Sequence, residues 1–136
     1  KFVYRDRLWA GADMVALGVA SFGHLGGIHY QNLTHIDQYC DSVDKAESVV
    51  RRALLTSDEE RFVREMILQW KLGRVCPSYF REKFGIDLME RYGPVLEEWK
   101  DAGDLEVGED ELRLSRDALL RVDSMLYHFF LPQHLD

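Results

Sequence analysis

The residues of this chain whose types could do chemistry are its five histidines, its two cysteines and a glycine-rich run near the start. His24 and His29 bracket Gly26-Gly27, and a metal held there would need them to converge with a carboxylate or thiolate in a defined geometry. No such ligand set occurs at metal-binding spacing, so these histidines read as hydrogen-bonding or solvent-facing groups, and His128 beside Phe129-Phe130 as a helix-face residue. Cys40 and Cys76, with 35 residues between them, form neither a Cys-x-x-Cys pair nor a disulfide framework, and read as reduced, partly buried thiols. Gly18-x-x-x-x-Gly23 lacks the Lys-Ser/Thr ending of a phosphate loop and is too loose for a dinucleotide fingerprint. Ser21 sits in this glycine-rich turn with no partner in the sequence that marks it as an activated nucleophile.

The elements that must position these residues fall into two kinds. Asp13 to Phe22 is a nearly continuous apolar run between Gly11 and Gly23, the pattern of a strand buried on both faces. Such a strand needs neighbours to pair its backbone, and the rest of the chain hardly provides them. From Thr34 the pattern turns helical. Thr34 is the expected cap of a short helix through Val43. Thr56-Ser57-Asp58-Glu59-Glu60 opens a long helix that places Phe62, Val63, Met66, Ile67 and Trp70 on one face and stops at Gly73. Pro77 or Ser78 begins a helix closed by Gly85. Asp87 begins another, interrupted at Gly93-Pro94 and ending at Gly103. Leu105–Val107 and Leu112–Leu114 read as a hairpin, and Ser115 starts a last helix that runs to Phe129. Helices, a two-stranded wing and a following helix form a winged-helix-like order, so the fold class expected is α+β, mostly helical.

Length and charge restrict what this arrangement can do. A complete (β/α)₈ barrel takes about 250 residues, so 136 residues hold at most a piece of one. The net charge of −7 opposes a phosphate-tracking surface. Between Asp87 and Glu111, where a winged helix would meet DNA, ten acids stand against Arg91 and Lys100, so no nucleic-acid partner is expected. The longest apolar stretch, residues 14–22, is far short of the roughly 20 residues a membrane span needs.

Residues 13–32, Asp-Met-Val-Ala-Leu-Gly-Val-Ala-Ser-Phe-Gly-His-Leu-Gly-Gly-Ile-His-Tyr-Gln-Asn, resemble the C-terminal part of the oxygen-independent coproporphyrinogen III oxidases. These are radical S-adenosylmethionine (SAM) enzymes of haem synthesis. The likeness continues through Tyr39, Leu54-Leu-Thr56, Asp58-Glu59, Tyr79 to Gly85, Leu105-x-Val107 and the closing Phe129-Phe130-Leu131-Pro132, and is sharpest from Gly18 to Asn32. It implies that residues 1–33 end a radical SAM barrel, which would account for the unpaired strand, and that residues 34–136 are an appended helical domain with a small hairpin wing.

The resemblance also implies a cofactor-binding set. In the family, a Gly-x-Ala/Ser-Ala/Ser-hydrophobic loop after this strand lies against S-adenosylmethionine, which puts Ala20, Ser21 and Phe22 in that role. Phe22 has a second reading as a plug of the barrel end. Gln31 and Asn32 are expected to fix the turn into the helical domain, and Phe2-Val-Tyr4 departs from the more polar aromatic-glutamine pair of some members. The family's Cys-x-x-x-Cys-x-x-Cys motif, which holds a 4Fe-4S cluster, does not occur here, and Cys40 and Cys76 match no part of it. No catalytic or metal-binding residue is therefore assigned, and the segment alone is expected to be inactive and to bind neither group tightly.

The full-length protein implied is a cytoplasmic, monomeric enzyme that meets a porphyrinogen through its barrel and converts propionates to vinyl groups. Relatives in the family act as haem chaperones or degrade haem anaerobically. The residues also leave open a noncatalytic interaction module with an acidic winged-helix surface.

Overall fold

The computed structural model describes residues 3–134; Lys1, Phe2, Leu135 and Asp136 lie outside the described residues, and with them the first residue of Phe2-Val-Tyr4. The chain divides into two compact units, residues 12–57 and residues 1–11 with 58–136, whereas the sequence reading divides it at residue 33.

The unit from Ala12 to Ser57 is built on a three-stranded antiparallel sheet, β1 (Phe22–Leu25), β2 (Ile28–Asn32) and β3 (Val50–Leu55), in the order β1-β2-β3. Gly26 and Gly27 join β1 to β2 with φ of 57° and 80°, the paired left-handed conformation of a type I′ turn, which matches the twist of a hairpin. Register places Phe22, Gln31 and Arg52 in one row and His24, His29 and Leu54 in a second row on the same face. α2 (Ile36–Asp44) connects β2 to β3. Its N-cap is His35, without a side-chain bond, and the Thr34 hydroxyl expected there instead accepts from Arg51 Nη1 at 3.1 Å.

The run from Asp13 to Phe22 is not a strand buried on both faces. Before Phe22, where β1 begins, only Met14 pairs, in an isolated bridge with His24, and Leu17 is 83% exposed. The backbone turns at Gly18 and Ala20, with φ of 93° and 60°, so it cannot keep a continuous ladder. Side chains satisfy the groups that a neighbouring strand would have taken. Tyr30 Oη accepts from Ala16 N at 2.9 Å and Tyr39 Oη from Gly18 N at 3.1 Å, while Asn32 Nδ2 donates to Gly18 O at 3.0 Å.

The other unit holds the apolar core. α1 (Val3–Trp9) occupies residues expected to end a barrel and lies against α3 (Asp58–Lys71). α3 buries Phe62, Val63, Met66 and Trp70 from the face its periodicity marks. β4 (Arg74–Val75) follows, then α4 (Pro77–Phe84) and α5 (Leu88–Asp101). Asp87 caps α5 by accepting from the amides of Met89 and Glu90, and the helix breaks at Tyr92 (φ −120°, ψ 15°), ahead of Gly93-Pro94. β5 (Leu105–Val107) and β6 (Leu112–Leu114) form the expected hairpin, and β4 adds a third strand in the order β4-β6-β5.

The last helix is divided into α6 (Arg116–Leu120) and α7 (Val122–Met125), followed by a 3₁₀ turn over Leu126–Phe129. The break is at Arg121, whose guanidinium reaches both carboxylate oxygens of Asp104 at 2.5 Å. Aromatic rings fill the centre of this unit. Trp70 meets Trp99 edge-on at 5.4 Å, Trp99 meets Phe129 at 5.4 Å and Phe62 meets Phe80 at 5.6 Å, arrangements that add to area burial.

Candidate functional site

The loop from Ala16 to Phe22 is held in place at nearly every residue. Ala20 donates its amide to Leu33 O at 2.8 Å, and its carbonyl accepts from Gln31 Nε2 at 3.2 Å. The Ser21 hydroxyl donates to Leu17 O at 2.7 Å, and the Ser21 carbonyl accepts from Asn32 N at 2.9 Å. Gln31 and Asn32 are both buried, and their amide groups fasten this loop rather than the turn toward the helices. Ser21 is therefore a structural hydroxyl bonded to backbone, without a basic partner for nucleophilic work.

Phe22 points elsewhere. Its ring, 47% exposed, stacks on the His29 imidazole with centroids 5.7 Å apart and planes at 17°. The two rings form part of a groove of about 300 Å³ on the sheet, completed by Gln31, Arg52 and Leu54. Of the three residues implied by the resemblance, Phe22 offers a side chain to this groove, Ala20 is tied to it through Gln31, and Ser21 stabilises the loop behind.

Nothing in the sequence marks Arg52 as a site residue, and Leu54 enters only through the likeness at Leu54-Leu-Thr56, because β3 has no two-fold apolar pattern; all six of its residues are exposed. Gly-Gly between His24 and His29, a known hairpin signal, could have located β1 and β2. Arg52 acquires meaning only from register. Its Nε donates to Gln31 Oε1 at 2.9 Å, which fixes the plane of the guanidinium at the groove edge.

Metal ligation finds no support among the described residues, where no group of three or more His, Cys, Asp or Glu side chains converges. Cys40 is exposed, and Cys76 is a thiol bonded to Asp110 Oδ2 at 3.1 Å.

Two further polar clusters occur in the core-bearing unit. Glu65 is 5% exposed, accepts from Tyr79 Oη at 2.6 Å and takes Lys83 Nζ on both oxygens at 2.9 Å. Burial and the bond to Glu65 raise the Tyr79 pKa. Burial works against the Lys83 charge, but the bonds to Glu65 and Tyr79 outweigh it, and that pKa is raised as well. Tyr79 is thus held as a neutral phenol and Lys83 as an ammonium ion. In the second cluster Asp110 accepts from the Ser78 hydroxyl at 2.5 Å, the Cys76 thiol and Ser78 N, and these bonds lower its pKa. Asp110 caps α4 from the β5–β6 turn, a task that the N-cap residue Cys76 does not perform. Both clusters serve the fold.

Comparison with known proteins bears on the first site. No family model matches the chain. An oxygen-independent coproporphyrinogen III oxidase from Pseudomonas aeruginosa is 29% identical over 114 residues, which are 82% of this chain. The chain resembles a coproporphyrinogen III oxidase. It spans 22% of that relative's length. The fold agrees with part of the coproporphyrinogen III oxidase HemN from Escherichia coli, described as a radical SAM enzyme, with a TM-score of 0.69 at 17% identity, covering 87% of this chain and 28% of that one. The likeness drawn from Gly18 to Asn32 thus names the same kind of protein as both comparisons.

Proposed function

We propose that this chain is the C-terminal part of an oxygen-independent coproporphyrinogen III oxidase-like radical SAM enzyme, acting in the cytoplasm as a monomer on a porphyrinogen. The observation that carries the reading is the pinned loop ending in Phe22, at the place where the resembling family meets its cofactor, in a chain whose matched relative is such an oxidase. In this reading residues 12–33 belong to the end of the barrel. The helices α3 to α5, the β5–β6 wing and α6 form the appended winged-helix-like domain.

The residues present fit one of the two groups such an enzyme uses. Phe22, 47% exposed at the end of a fixed loop, offers an apolar ring suited to an S-adenosylmethionine molecule. When bound, that group would supply the hydrogen-abstracting radical chemistry that the proposed oxidation of a propionate requires. The 4Fe-4S cluster does not fit: the chain has two cysteines, and neither matches any part of the three-cysteine motif. This segment's task is to bind and orient. Ala20, Ser21 and the amides of Gln31 and Asn32 hold the loop rigid, so that Phe22 presents its ring in a fixed position.

The test is a full-length protein with the three-cysteine motif upstream, reconstituted anaerobically with iron and sulfide. Phe22→Ala is expected to lower coproporphyrinogen turnover by roughly tenfold or more, as lost positioning does, with iron content unchanged. Unchanged turnover would show that Phe22 only packs. A full-length protein without the cysteine motif would remove the radical chemistry altogether.

A further inference from the structure

We infer that Arg52 is a specificity-determining residue that binds a propionate carboxylate of the tetrapyrrole; the inference rests on the proposed function and adds the group that recognises the substrate. Phe22, Gln31 and Arg52 form one row across the three strands. Gln31 is buried and uses both ends of its amide, donating to Ala20 O and accepting from Arg52 Nε. One edge of the guanidinium is therefore held by a group that is itself held. Among the described residues no carboxylate pairs with Arg52, although most other arginines of the chain that form ion pairs do so at the surface. Its remaining N–H donors form a planar fork suited to two carboxylate oxygens.

What lies beside the fork selects the ligand. Beside Arg52 the groove carries the His29 ring and the side chain of Leu54, which is 55% exposed. A ligand that satisfies both parts offers small flat rings, such as pyrroles, and carries a carboxylate on a short arm. A small dicarboxylate would leave the ring surface bare, and a neutral aromatic would leave the fork unpaired. A porphyrinogen with propionate arms meets both requirements.

The experiment uses full-length protein under anaerobic conditions and coproporphyrin III as a fluorescent stand-in for the porphyrinogen, with its tetramethyl ester as the probe lacking carboxylates. The affinity of Arg52→Gln for coproporphyrin is expected to fall roughly 10- to 100-fold, the loss of one charge-assisted contact, while its affinity for the ester stays that of wild type. Arg52→Lys keeps charge without the fork and should recover part of the loss. Reductive cleavage of S-adenosylmethionine by Arg52→Gln should match wild type, which also shows that the variant folds. Equal coproporphyrin affinity in wild type and Arg52→Gln would overturn the inference and leave the radical-enzyme reading standing. So would weaker S-adenosylmethionine binding in Arg52→Gln, because the fork would then serve the cofactor's own carboxylate. Wild type that cannot cleave S-adenosylmethionine would refute the radical-enzyme reading, and the inference with it.

Discussion

Asp110 shows how one side chain changes meaning between sequence and structure. Counted along the chain it is one of ten acids in a solvated stretch; in space it accepts three bonds at the start of α4. Its pKa is lowered by the Ser78 hydroxyl, the Cys76 thiol and the Ser78 amide. A carboxyl whose folded pKa lies below its unfolded value of about 3.9 stabilises the fold above that pH, and the contribution is lost as pH falls through the folded value. Asp110→Asn should therefore melt lower than wild type at pH 7 and show a flatter fall in melting temperature between about pH 4 and pH 2. Superimposable curves for the two proteins would mean that the cap contributes nothing. Glu65 supports a companion prediction. Glu65→Gln weakens two charge-assisted bonds in a nearly buried place, and urea unfolding should register a loss of about 1–3 kcal/mol. Lys83→Met should cost less, because Lys83 is 44% exposed and water already screens it. A larger loss in Lys83→Met than in Glu65→Gln would reverse that account.

At the scale of elements, the hairpin β1–β2 depends on a missing side chain. A Cβ at Gly23 would lie 2.3 Å from the Tyr30 ring, its cross-strand partner, so the ring covers the glycine directly. Gly23→Ala must displace that ring and with it the Tyr30 bond to Ala16 N, at a cost of about 1–3 kcal/mol. Adding Tyr30→Ala should return space but not the bond, so thermal melts of the double variant should lie above those of Gly23→Ala and below those of wild type. A double variant no better than the single one would show that the strain lies elsewhere. The same hairpin marks the limit of what the sequence makes legible. α3, α4 and α5 can be read because their caps, stops and apolar faces lie within a few residues of one another: Asp87 for α5, Gly85 after α4, and Phe62 to Trp70 along α3. The Asp13–Phe22 run misleads for the opposite reason. Its backbone partners are the side chains of Tyr30, Asn32 and Tyr39, up to 21 residues away, and no periodicity signals them. Phe22 could be named through resemblance, whereas Arg52 becomes visible only when the register aligns it with Gln31.

Over the whole molecule the two units are stabilised by different means. Every buried hydrophobic residue among those described lies between Phe62 and Phe129. In the unit from Ala12 to Ser57 the buried residues are Gly23, His24, Gly27, Gln31 and Asn32, so that unit rests on hydrogen bonds around a sheet whose apolar side chains remain accessible. Phe22, Leu25, Ile28, Leu54 and Leu55 are each between 42% and 76% exposed. Net hydrogen-bond gains are small when water competes, whereas buried rings retain their contribution. Hydrogen exchange on the 136-residue chain should therefore release the amides of β1–β3 well before those of α3 and α5, which open only with the core. If the proposed barrel exists, its strands would pair with and cover this sheet. In the full-length protein the amides of Phe22–Leu25 and Val50–Leu55 should then become slower by roughly tenfold or more, while α3 changes little. Equal exchange of both units in the short chain would refute the division of stability. Exchange of β1–β3 that stayed fast in the full-length protein would refute the placement of this sheet at the end of a barrel, because no neighbouring strand would then be closing it.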